Sequence, residues 1–370
     1  MFDYVYFYPK DYGAPSDVAR NIFDSLIRKK LPYSLAVFPS DKRTAVALKS
    51  KYPNIKIISF RDLLFYKRNT IVHIPVSPTF FLNNKFFIFL ISTLKRYKLI
   101  INYHGEPRLE YALRFKNHRI KEIVLSFPTY LVVPLFVRSA DIVVLNSLSM
   151  KEKFGALYKS KHIEVIPNAL QSYWFDTTNM DEIALNDYEF SIFYHGRLSP
   201  EKGVDILLKA FYKFLRSTDC HPYSVKLYIA GEGEQYDNLK LLARELNIND
   251  HVIFLGKIPL AELKSYLVSV NAAIYPSIYE PFSLAVLEAF ALVNGPVLYS
   301  RTIGINDFVQ DRGLNFFTFV PTVDGIANAI RDLYFKNYNT NIHFEQKSFS
   351  NELTWEKVVD QYISLYSKLV

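Results

Sequence analysis

The sequence predicts an α/β protein with two doubly wound, Rossmann-like domains that face each other across a cleft. A chain of 370 residues, half of them hydrophobic, is long enough for two domains with separate cores. Short apolar runs alternate with longer helix-forming segments, as in parallel sheets whose strands are joined by crossover helices. Glycine-containing polar motifs follow several of these runs, which places them at the strand ends where such sheets bind ligands.

The first half contains most of this alternation. Strands are predicted at residues 4–8, 34–38, 56–60, 71–74, 99–103, 141–145 and 164–166, and helices at residues 14–30, 42–51, 80–97, 106–137 and 149–158. The helix at 106–137 is expected to be interrupted by Pro128 and Pro134, because proline lacks an amide hydrogen. The helix at 80–97 is apolar nearly all round until its basic end, so we expect a buried helix of the fold rather than a membrane-surface helix.

The second half repeats the pattern after a less periodic stretch. Strands are predicted at residues 190–194, 225–230, 252–255, 272–275 and 297–300, and helices at residues 204–216, 235–246, 260–269, from 281 onward, and 355–369. The predicted boundaries are 1–168 for the first domain, 169–189 for a linker, 190–352 for the second domain and 353–370 for a terminal helical segment.

Two glutamates, Glu280 and Glu288, are separated by seven residues at a predicted strand–loop–helix junction. Pro281 suits a first helical turn, so Glu280 is expected on the loop and Glu288 about two turns along the helix. The backbone N–H groups of residues 282–284 would lie between them. This pattern combines an anion-binding helix start with carboxylates that accept hydrogen bonds from hydroxyl groups. An ordinary capped helix with acidic residues near its start is the alternative.

A second motif, at residues 194–203, follows the strand predicted at 190–194. Gly196 allows a tight turn out of the strand. Arg197 and Lys202 place two cations on one loop, as a diphosphate leaving group requires. A solvated basic loop is the alternative. The next two predicted strands also end in glycine, at Gly231 and Gly256.

Taken in order, four motifs resemble the donor domain of the retaining glycosyltransferases of family 4, which have the two-domain GT-B architecture. They are Gly-Arg-Leu…Glu-Lys-Gly at 196–203, Gly-Glu-Gly at 231–233, Phe-Leu-Gly at 254–256 and Glu-Pro-Phe…Glu-Ala at 280–289. The resemblance implies that the first domain binds the acceptor, the second binds the donor, and the segment 353–370 crosses back to the first domain. The family usually has glycine where this chain has Ser283, whose side chain is expected to narrow the donor pocket.

The resemblance implies retaining transfer of a hexose from a UDP-, GDP- or ADP-sugar to a hydroxyl of a glycan or lipid-linked acceptor, with no cofactor and no metal. Arg197 and Lys202 would stabilise the leaving diphosphate. Glu280 would meet the transferred sugar, and Glu288 the ribose hydroxyls. His104, at a predicted strand end, matches a family histidine near the reacting sugar, with a structural role as the alternative. The other donor contacts implied are Gly13, Gly196, Gly231, Gly256, Lys257, Ile258, Phe282, Ser283 and Leu284. His195 is expected to pack against the turn that follows it.

The charge is unevenly distributed. Residues 1–170 hold 27 Lys and Arg against 12 Asp and Glu, whereas residues 171–370 hold 17 against 24. A basic half indicates an anionic partner. We therefore predict a glycan or polyprenyl-phosphate-linked acceptor, and peripheral contact of the first domain with an anionic membrane through basic clusters at residues 28–30, 67–68, 95–98 and 114–121. Two alternatives remain: a nucleotide-sugar epimerase of GT-B type, and a non-enzymatic polyanion or nucleic-acid binding protein, although no recognised nucleic-acid motif is present.

The single cysteine, Cys220, excludes an internal disulfide framework and a cysteine metal cluster, and suits a reducing compartment. The first residues form a predicted strand and lack the basic start and apolar core of a signal peptide. No uncharged run reaches the ~20 residues that a membrane-spanning helix needs. We expect a cytoplasmic protein, peripheral on the cytoplasmic face of the membrane.

Overall fold

The computed structural model describes residues 3–10, 13–29, 34–76, 83–105, 120–158, 162–178, 183, 185, 190–217, 225–335 and 341–369. The chain divides into two compact units, one formed by Met1–Ala169 with Trp355–Val370 and the other by Leu170–Thr354. Each unit is built on a parallel sheet with crossover helices. This confirms the predicted fold class of two Rossmann-like α/β domains.

The first unit contains a seven-stranded sheet with strand order β3-β2-β1-β4-β5-β6-β7. Its strands are β1 (Asp3–Tyr8), β2 (Ser34–Pro39), β3 (Lys56–Ile57), β4 (Ile71–Ile74), β5 (Lys98–Tyr103), β6 (Ile142–Leu145) and β7 (Ile163–Val165). Its crossover helices are α1 (Ala14–Arg28), α2 (Lys42–Lys51), α3 (Phe60–Leu64), α4 (Asn84–Lys95), α5 (Ile120–Ser139) and α6 (Leu148–Tyr158).

The second unit contains a six-stranded sheet with strand order β10-β9-β8-β11-β12-β13. Its strands are β8 (Phe190–His195), β9 (Val225–Ala230), β10 (Val252–Gly256), β11 (Ala272–Tyr275), β12 (Val297–Ser300) and β13 (Thr318–Phe319). Its helices are α7 (Val204–Leu215), α8 (Tyr236–Glu245), α9 (Leu260–Ser269), α10 (Leu284–Leu292), α11 (Ile305–Asp311), α12 (Val323–Tyr334) and α13 (Ile342–Glu352). The last helix, α14 (Trp355–Leu369), belongs to the first unit.

The strand order reverses once in each sheet. In the second unit, successive strands are added on one side of β8 up to β10, and on its other side from β11 to β13. All described pairings there are parallel, so the strands end at the same edge. Ligands of doubly wound sheets bind where the order reverses, outside the carboxyl ends of the strands. In this unit that place lies between the ends of β8 and β11.

The strand predicted at residues 56–60 is shorter in the structure. β3 ends at Ile57, and α3 begins at Phe60. The cause is a capping box, because the Ser59 amide donates to Asp62 Oδ2 at 2.7 Å while Ser59 Oγ accepts from the Asp62 amide at 3.4 Å. Reciprocal bonds of this kind start a helix even where the sequence is apolar enough for a strand.

The prediction that prolines interrupt the helix before β6 was wrong. α5 runs without a break through Pro128 and Pro134, while residues 106–119 lie outside the described ranges. Proline inside a helix removes one backbone hydrogen bond. Burial of Val133, Phe136 and Val137 against the sheet offsets that loss, because apolar packing supplies most helical stability in proteins.

The apolar helix before β5 was predicted to be a buried helix of the fold, and in the structure it is buried on one side only. Only one side of α4 reaches the core, through Ile88 and Phe89. Phe87, Leu90 and Leu94 are exposed on its other side. A crossover helix covers one face of its sheet and therefore buries one stripe, whatever its remaining residues are.

Between residues 301 and 354 the structure contains elements that the sequence did not predict: α11, β13, α12 and α13. In α12 the apolar stripe is Ile326, Ile330 and Leu333, whose spacing is helical. Thr322 caps the helix by accepting the Gly325 amide at 3.1 Å. This apolar stripe is short and lies among polar residues, so its helical spacing was not recognised in the sequence.

α14 is tied to the first sheet by buried polar groups. Asn102 Nδ2 donates to Tyr362 Oη at 3.0 Å, and Tyr366 Oη lies 2.9 Å from His73 Nδ1. The rings of Tyr366 and Tyr4 lie 4.4 Å apart, which connects the helix to β1 as well. Buried hydrogen bonds of this kind specify how a helix docks, because each unmade bond would leave a buried polar atom without a partner.

Candidate functional site

The ends of β8 and β11 bring Lys202 and Glu280 together. Lys202 Nζ lies 2.6 Å from Glu280 Oε1, and Ser277 Oγ donates to Glu280 Oε2 at 3.1 Å. The lysine and glutamate side chains are 19% and 15% exposed. The ion pair is therefore largely enclosed and still reachable by a ligand. Sequence analysis had placed both residues at strand ends, and the structure brings them into contact.

Backbone contacts fix this meeting point. The Ile278 amide donates to the Glu201 carbonyl oxygen at 2.9 Å, which ties the loop after β8 to the loop after β11. At Gly203, φ is +67° and an added Cβ would lie 2.5 Å from the Pro276 carbonyl oxygen. Only glycine fits this close approach. The Lys202 backbone, next to Gly203, is therefore held beside the loop that carries Glu280.

The segment before α10 is hydrogen-bonded to the residues that follow β12. The Gly304 amide donates to the Glu280 carbonyl oxygen at 3.0 Å, and the Ile305 amide donates to the Phe282 carbonyl oxygen at 2.9 Å. The helix therefore begins at Leu284, and the prediction that it begins at Pro281 was wrong. Carbonyl groups that bond to a neighbouring segment cannot also accept from amides further along a helix.

Ser283 does not point into the site as expected. Ser283 is buried, and its Oγ accepts from the Val286 amide at 3.4 Å, so the side chain caps α10. Its φ of +90° lies in the region that favours glycine. The next amides, those of Leu284 and Ala285, have no partner inside the helix, and with the helix dipole they make this end a place for an anion.

Glu288 is held by a chain of hydrogen bonds. His195 Nε2 lies 2.8 Å from Glu288 Oε2, and Tyr275 Oη lies 2.8 Å from His195 Nδ1. Burial raises the pKa of Tyr275 well above its usual value, and the nearby Glu288 carboxylate raises it further. The tyrosine hydroxyl therefore keeps its proton and can donate it to Nδ1, in which case Nε2–H donates to the carboxylate. Within the described residues the other carboxylate oxygen has no partner, so it can accept from a ligand.

Arg197 lies on the loop after β8 and is exposed. Tyr194 Oη, which is buried, donates to the Arg197 carbonyl oxygen at 3.1 Å. Burial raises the pKa of Tyr194 well above its usual value; Glu280 and Glu201 raise it further, and Arg197 lowers it. The charges of Glu280, Glu201 and Arg197 therefore all lie close to the Tyr194 hydroxyl. Among the described residues no acidic partner engages the guanidinium.

Glycines join the loops after β8, β9 and β10. At Gly231, φ is +139° and an added Cβ would lie 1.9 Å from the Gly196 carbonyl oxygen. The Gly231 amide donates to the Gly256 carbonyl oxygen at 2.7 Å. Lys257 and Ile258 follow at the end of β10, with Lys257 exposed. The three loops thus form one rim beside the ends of β8 and β11.

A comparison with known families identifies this arrangement. The sequence profile described as glycosyl transferases group 1 matches residues 175–369, more than half of the chain. The chain belongs to this family. The match includes Arg197, Lys202, Glu280 and Glu288 and therefore the whole candidate site of the second unit.

Similar proteins place this group 1 glycosyltransferase among diverse relatives. An uncharacterized glycosyltransferase, MJ1607 of Methanocaldococcus jannaschii, is 27% identical over 238 residues, which cover 60% of this chain and 59% of that protein. The N-acetylgalactosamine-N,N'-diacetylbacillosaminyl-diphospho-undecaprenol 4-alpha-N-acetylgalactosaminyltransferase of Campylobacter jejuni is 26% identical over 292 residues, 77% of this chain and 74% of that protein. The chain spans about half to three fifths of the length of the first curated relatives that it matches.

Among solved structures, HepE of Anabaena in complex with UDP and glucose has a TM-score of 0.72 and 17% sequence identity, with all of both chains covered. At this identity the likeness establishes the fold. The GT-B architecture expected from the sequence motifs is therefore confirmed by structural neighbours.

In the first unit, His104 follows β5 at its carboxyl end. His104 Nε2 donates to the Pro75 carbonyl oxygen at 2.8 Å, and Asn146 Nδ2 lies 3.3 Å from His104 Nδ1. Burial lowers the pKa of His104 to about 4, so the ring is neutral near pH 7. Both ring nitrogens are engaged. A sugar could contact a ring nitrogen of His104 only if the longer of these two hydrogen bonds, the one to Asn146, breaks.

Gly13, the predicted donor contact of this unit, precedes α1. It has φ of +122°, and its carbonyl oxygen accepts from the Asp17 amide at 3.0 Å. Residues 11 and 12 of the same loop lie outside the described ranges. The roles predicted for Gly13 and His104 stay predictions.

Among the residues that the structure describes, no three His, Cys, Asp or Glu side chains are grouped closely enough to hold a metal ion. Cys220 lies outside the described ranges. None of the described helices combines the length and apolarity that crossing a membrane requires.

The supporting residues of the site were not predicted from the sequence. His195 was expected only to pack against the turn, and no role in the site was predicted for Tyr275 or for the segment at 302–305. The available signal was a histidine at the end of an otherwise apolar buried strand. A polar group in that position needs a hydrogen-bond partner, and here the partner is Glu288.

Proposed function

We propose that this chain is a retaining, metal-independent glycosyltransferase that moves a hexose from a nucleoside diphosphate sugar to a hydroxyl of a glycan or lipid-linked acceptor. The observation that carries the proposal is the Lys202–Glu280 pair, with a distance of 2.6 Å, at the point where the strand order of the second sheet reverses. A cation, a carboxylate and a helix start lie together there. This is the set of groups that a sugar diphosphate needs.

In this proposal the diphosphate binds Lys202 and Arg197. An ammonium group has three N–H donors, so Lys202 can turn toward phosphate oxygens while it keeps one bond to Glu280. Arg197 is exposed and can move to make two parallel bonds to a phosphate. As the bond between the anomeric carbon and the phosphate oxygen breaks, negative charge grows on the leaving group. Cations already in place stabilise that charge.

The two glutamates have different roles in the proposal. The unpartnered oxygen of Glu288 accepts from a ribose hydroxyl, while His195 holds the other oxygen. Glu280 accepts from a hydroxyl of the transferred sugar and stabilises positive charge at the anomeric carbon. The resemblance to family 4 implies that the acceptor oxygen attacks from the leaving-group side and that its proton passes to the departing phosphate oxygen.

We propose a UDP-, GDP- or ADP-sugar as donor, and a glycan or polyprenyl-phosphate-linked acceptor used at the cytoplasmic face of the membrane. HepE supports the donor class, since it was solved with UDP and glucose. The Campylobacter relative supports the acceptor class, since its name specifies a diphospho-undecaprenol-linked substrate. Family membership gives no support to the epimerase alternative.

The first test is donor binding followed by turnover. The purified protein is screened with UDP-, GDP- and ADP-sugars by thermal shift, because a ligand that binds the folded state raises the apparent stability. Release of nucleoside diphosphate is then measured with a polyprenyl-diphosphate-linked sugar as acceptor. NMR of the product should show the anomeric configuration of the donor, and chelation with EDTA should leave the rate unchanged. An inverted product would refute retention.

A matched pair of variants tests the site. Lys202→Ala should lower turnover by ~10²–10³-fold, the usual effect of losing one group that stabilises developing charge. Lys213→Ala is the control, because Lys213 Nζ also lies 2.6 Å from a carboxylate, that of Asp324, but on the surface. Equal rates for both folded variants, or no donor that binds, would overturn the proposal.

A further inference from the structure

The solvent side of α4 is apolar. Phe87, Leu90 and Leu94 are exposed and follow one another at helical spacing, so they form one stripe. Leu94 is 74% exposed. Large apolar side chains on the solvent side of a helix leave it without the charged face that such helices usually have.

α5 carries a second stripe of the same kind. Val124, Phe127, Leu131 and Leu135 are separated by three, four and four residues and are all exposed. Leu131 is 60% exposed. On the opposite side of the helix, Val133, Phe136 and Val137 are buried against the sheet, so the exposed stripe faces away from the core.

The two stripes lie side by side. α4 leads from β4 to β5, and α5 leads from β5 to β6, so right-handed crossovers place both helices on the same face of the sheet. The rings of Phe89 on α4 and Phe136 on α5 are 4.5 Å apart. Packed helices lie ~8–10 Å apart, so their outward stripes form one surface, called here the α4–α5 face. Contiguous apolar surfaces of this kind mark interaction sites.

Basic residues border this face at the end of α4. Tyr97 Oη donates to the carbonyl oxygens of Leu63 at 2.6 Å and of Tyr66 at 3.1 Å, which joins α3 and the segment after it to the end of α4. That segment presents Phe65, which is 87% exposed. The exposed basic residues at this end are Lys67, Arg68, Lys95 and Arg96. Between residues 60 and 98 the chain has seven Lys and Arg and only one acidic residue, Asp62.

We propose that the α4–α5 face docks the protein on an anionic lipid bilayer. The apolar stripes would enter the boundary between headgroups and acyl chains, and the basic border would lie on anionic headgroups. This builds on the proposed lipid-linked acceptor, because it places the enzyme where such an acceptor lies. A second copy of the chain fits the face less well, because a two-fold contact would bring the basic borders together with little acidic charge to meet them.

The proposal predicts two distinguishable components of binding. The basic border attracts the surface over a distance that salt shortens, so high salt should weaken binding. Insertion of apolar side chains does not depend on salt in this way, so part of the binding should persist. Neutral vesicles should be bound more weakly than anionic vesicles of otherwise equal composition.

Cosedimentation with phosphatidylglycerol-containing and phosphatidylcholine vesicles tests this with matched variants. The double variant Leu94→Gln/Leu131→Gln should bind anionic vesicles about tenfold more weakly or worse, with the loss largest at high salt. The control Val46→Gln/Leu241→Gln changes residues that are 72% and 54% exposed, on α2 and α8, and should bind as the wild type does. Equal binding by the two double variants would overturn the proposal.

A direct measurement of insertion uses fluorescence. The two native tryptophans, Trp174 and Trp355, are both buried. Replacing each by phenylalanine removes their fluorescence. In that background, Leu94→Trp should shift to shorter wavelength on anionic vesicles and be quenched by brominated lipids. Val46→Trp should do neither. An unquenched Leu94→Trp on vesicle-bound protein would place the contact elsewhere and refute the α4–α5 face.

The outcomes separate this inference from the proposed function. The Leu94→Gln/Leu131→Gln variant should bind nucleotide sugars as the wild type does, because neither position is among the predicted donor contacts. Vesicle docking without any nucleotide-sugar binding would overturn the proposed function and support the docking surface. If light scattering shows a dimer that the double variant dissociates while vesicle binding is unchanged, the face is a protein interface and the docking proposal fails.

Discussion

Acidification is expected to destabilise the first unit through His73, which lies in β4 and is fully buried. Its Nε2 donates to Asn102 Oδ1 at 2.9 Å, and its Nδ1 lies 3.0 Å from Tyr4 Oη and 2.9 Å from Tyr366 Oη. Burial raises the pKa of both tyrosines well above the usual value, so their hydroxyls stay protonated and neutral. A neutral imidazole fits these partners, and burial lowers the pKa of His73 to about 4.

The size of the effect follows from this pKa. In the unfolded chain the histidine pKa is about 6.5. Between the two values the unfolded chain binds more protons than the folded state, so stability falls as the pH falls. The contribution is fully present above about pH 6.5, and each pH unit below that costs ~1.4 kcal/mol until the folded state also binds the proton. At about pH 5 the loss is therefore about 2 kcal/mol.

The two units can be followed separately because each contains one tryptophan, Trp355 in the first and Trp174 in the second. Urea unfolding of a Trp174→Phe protein reports the first unit through Trp355, at the start of α14. His73→Gln in the same background removes the buried imidazole. Between about pH 7.5 and about pH 5, the protein with His73 should lose about 2 kcal/mol more than the variant.

The comparison also removes the effect of other groups. The pKa of His104 is lowered to about 4 by burial as well, but His104 is present in both proteins and cancels in the difference. A second reading comes from NMR, in which the ring signals of His73 should show no titration until the pH approaches 4. Equal losses with and without His73, or a ring that titrates near pH 6.5, would refute the reasoning.

Three further predictions concern the second unit. Ser283→Ala removes the cap of α10 and should lower the free energy of unfolding by about 1 kcal/mol. Ser283→Gly removes the cap too, but glycine relieves the strain of a φ of +90°, so urea unfolding should show it to be the more stable of the two variants. His195→Ala should raise the donor KM about tenfold with kcat nearly unchanged, since it frees Glu288 without touching the sugar; a fall in kcat alone would contradict this role. Glu280→Gln should tighten calorimetrically measured nucleoside diphosphate binding, because Lys202 loses its carboxylate partner, yet slow turnover; weaker binding would show that the pair is needed intact.

The fold was predictable because strands and crossover helices have distinct apolar periods. β9, β11, β12, α2 and α9 have the bounds that their sequence pattern predicts. Two of the misses share a cause, which is that a tertiary or capping interaction decided the local structure. Ser59 with Asp62 turned a predicted strand end into α3. Contacts from the 302–305 segment delayed the start of α10 to Leu284.

The site was predictable in part. Lys202, Glu280 and Glu288 follow from ordered motifs, because the spacing places each at a strand end or on the following helix. Contacts between distant segments do not follow from spacing. His195 meets Tyr275 across 80 residues of sequence, and the meeting depends on β8 pairing directly with β11. The exposure of the apolar stripe on α4 could not be predicted from the sequence either, because it depends on which neighbouring elements cover the helix.

The charge distribution separates two kinds of electrostatic interaction in this protein. Residues 171–370 carry more acidic than basic side chains, so the overall field of this half opposes a diphosphate. In the proposed function, donor binding therefore depends on short-range contacts with Lys202, Arg197 and the start of α10, which salt screens little. The basic border of the α4–α5 face acts over distances near the Debye length, ~10 Å at moderate salt, and is screened readily. Raising the salt should consequently release the protein from anionic vesicles well before it weakens binding of the nucleotide sugar.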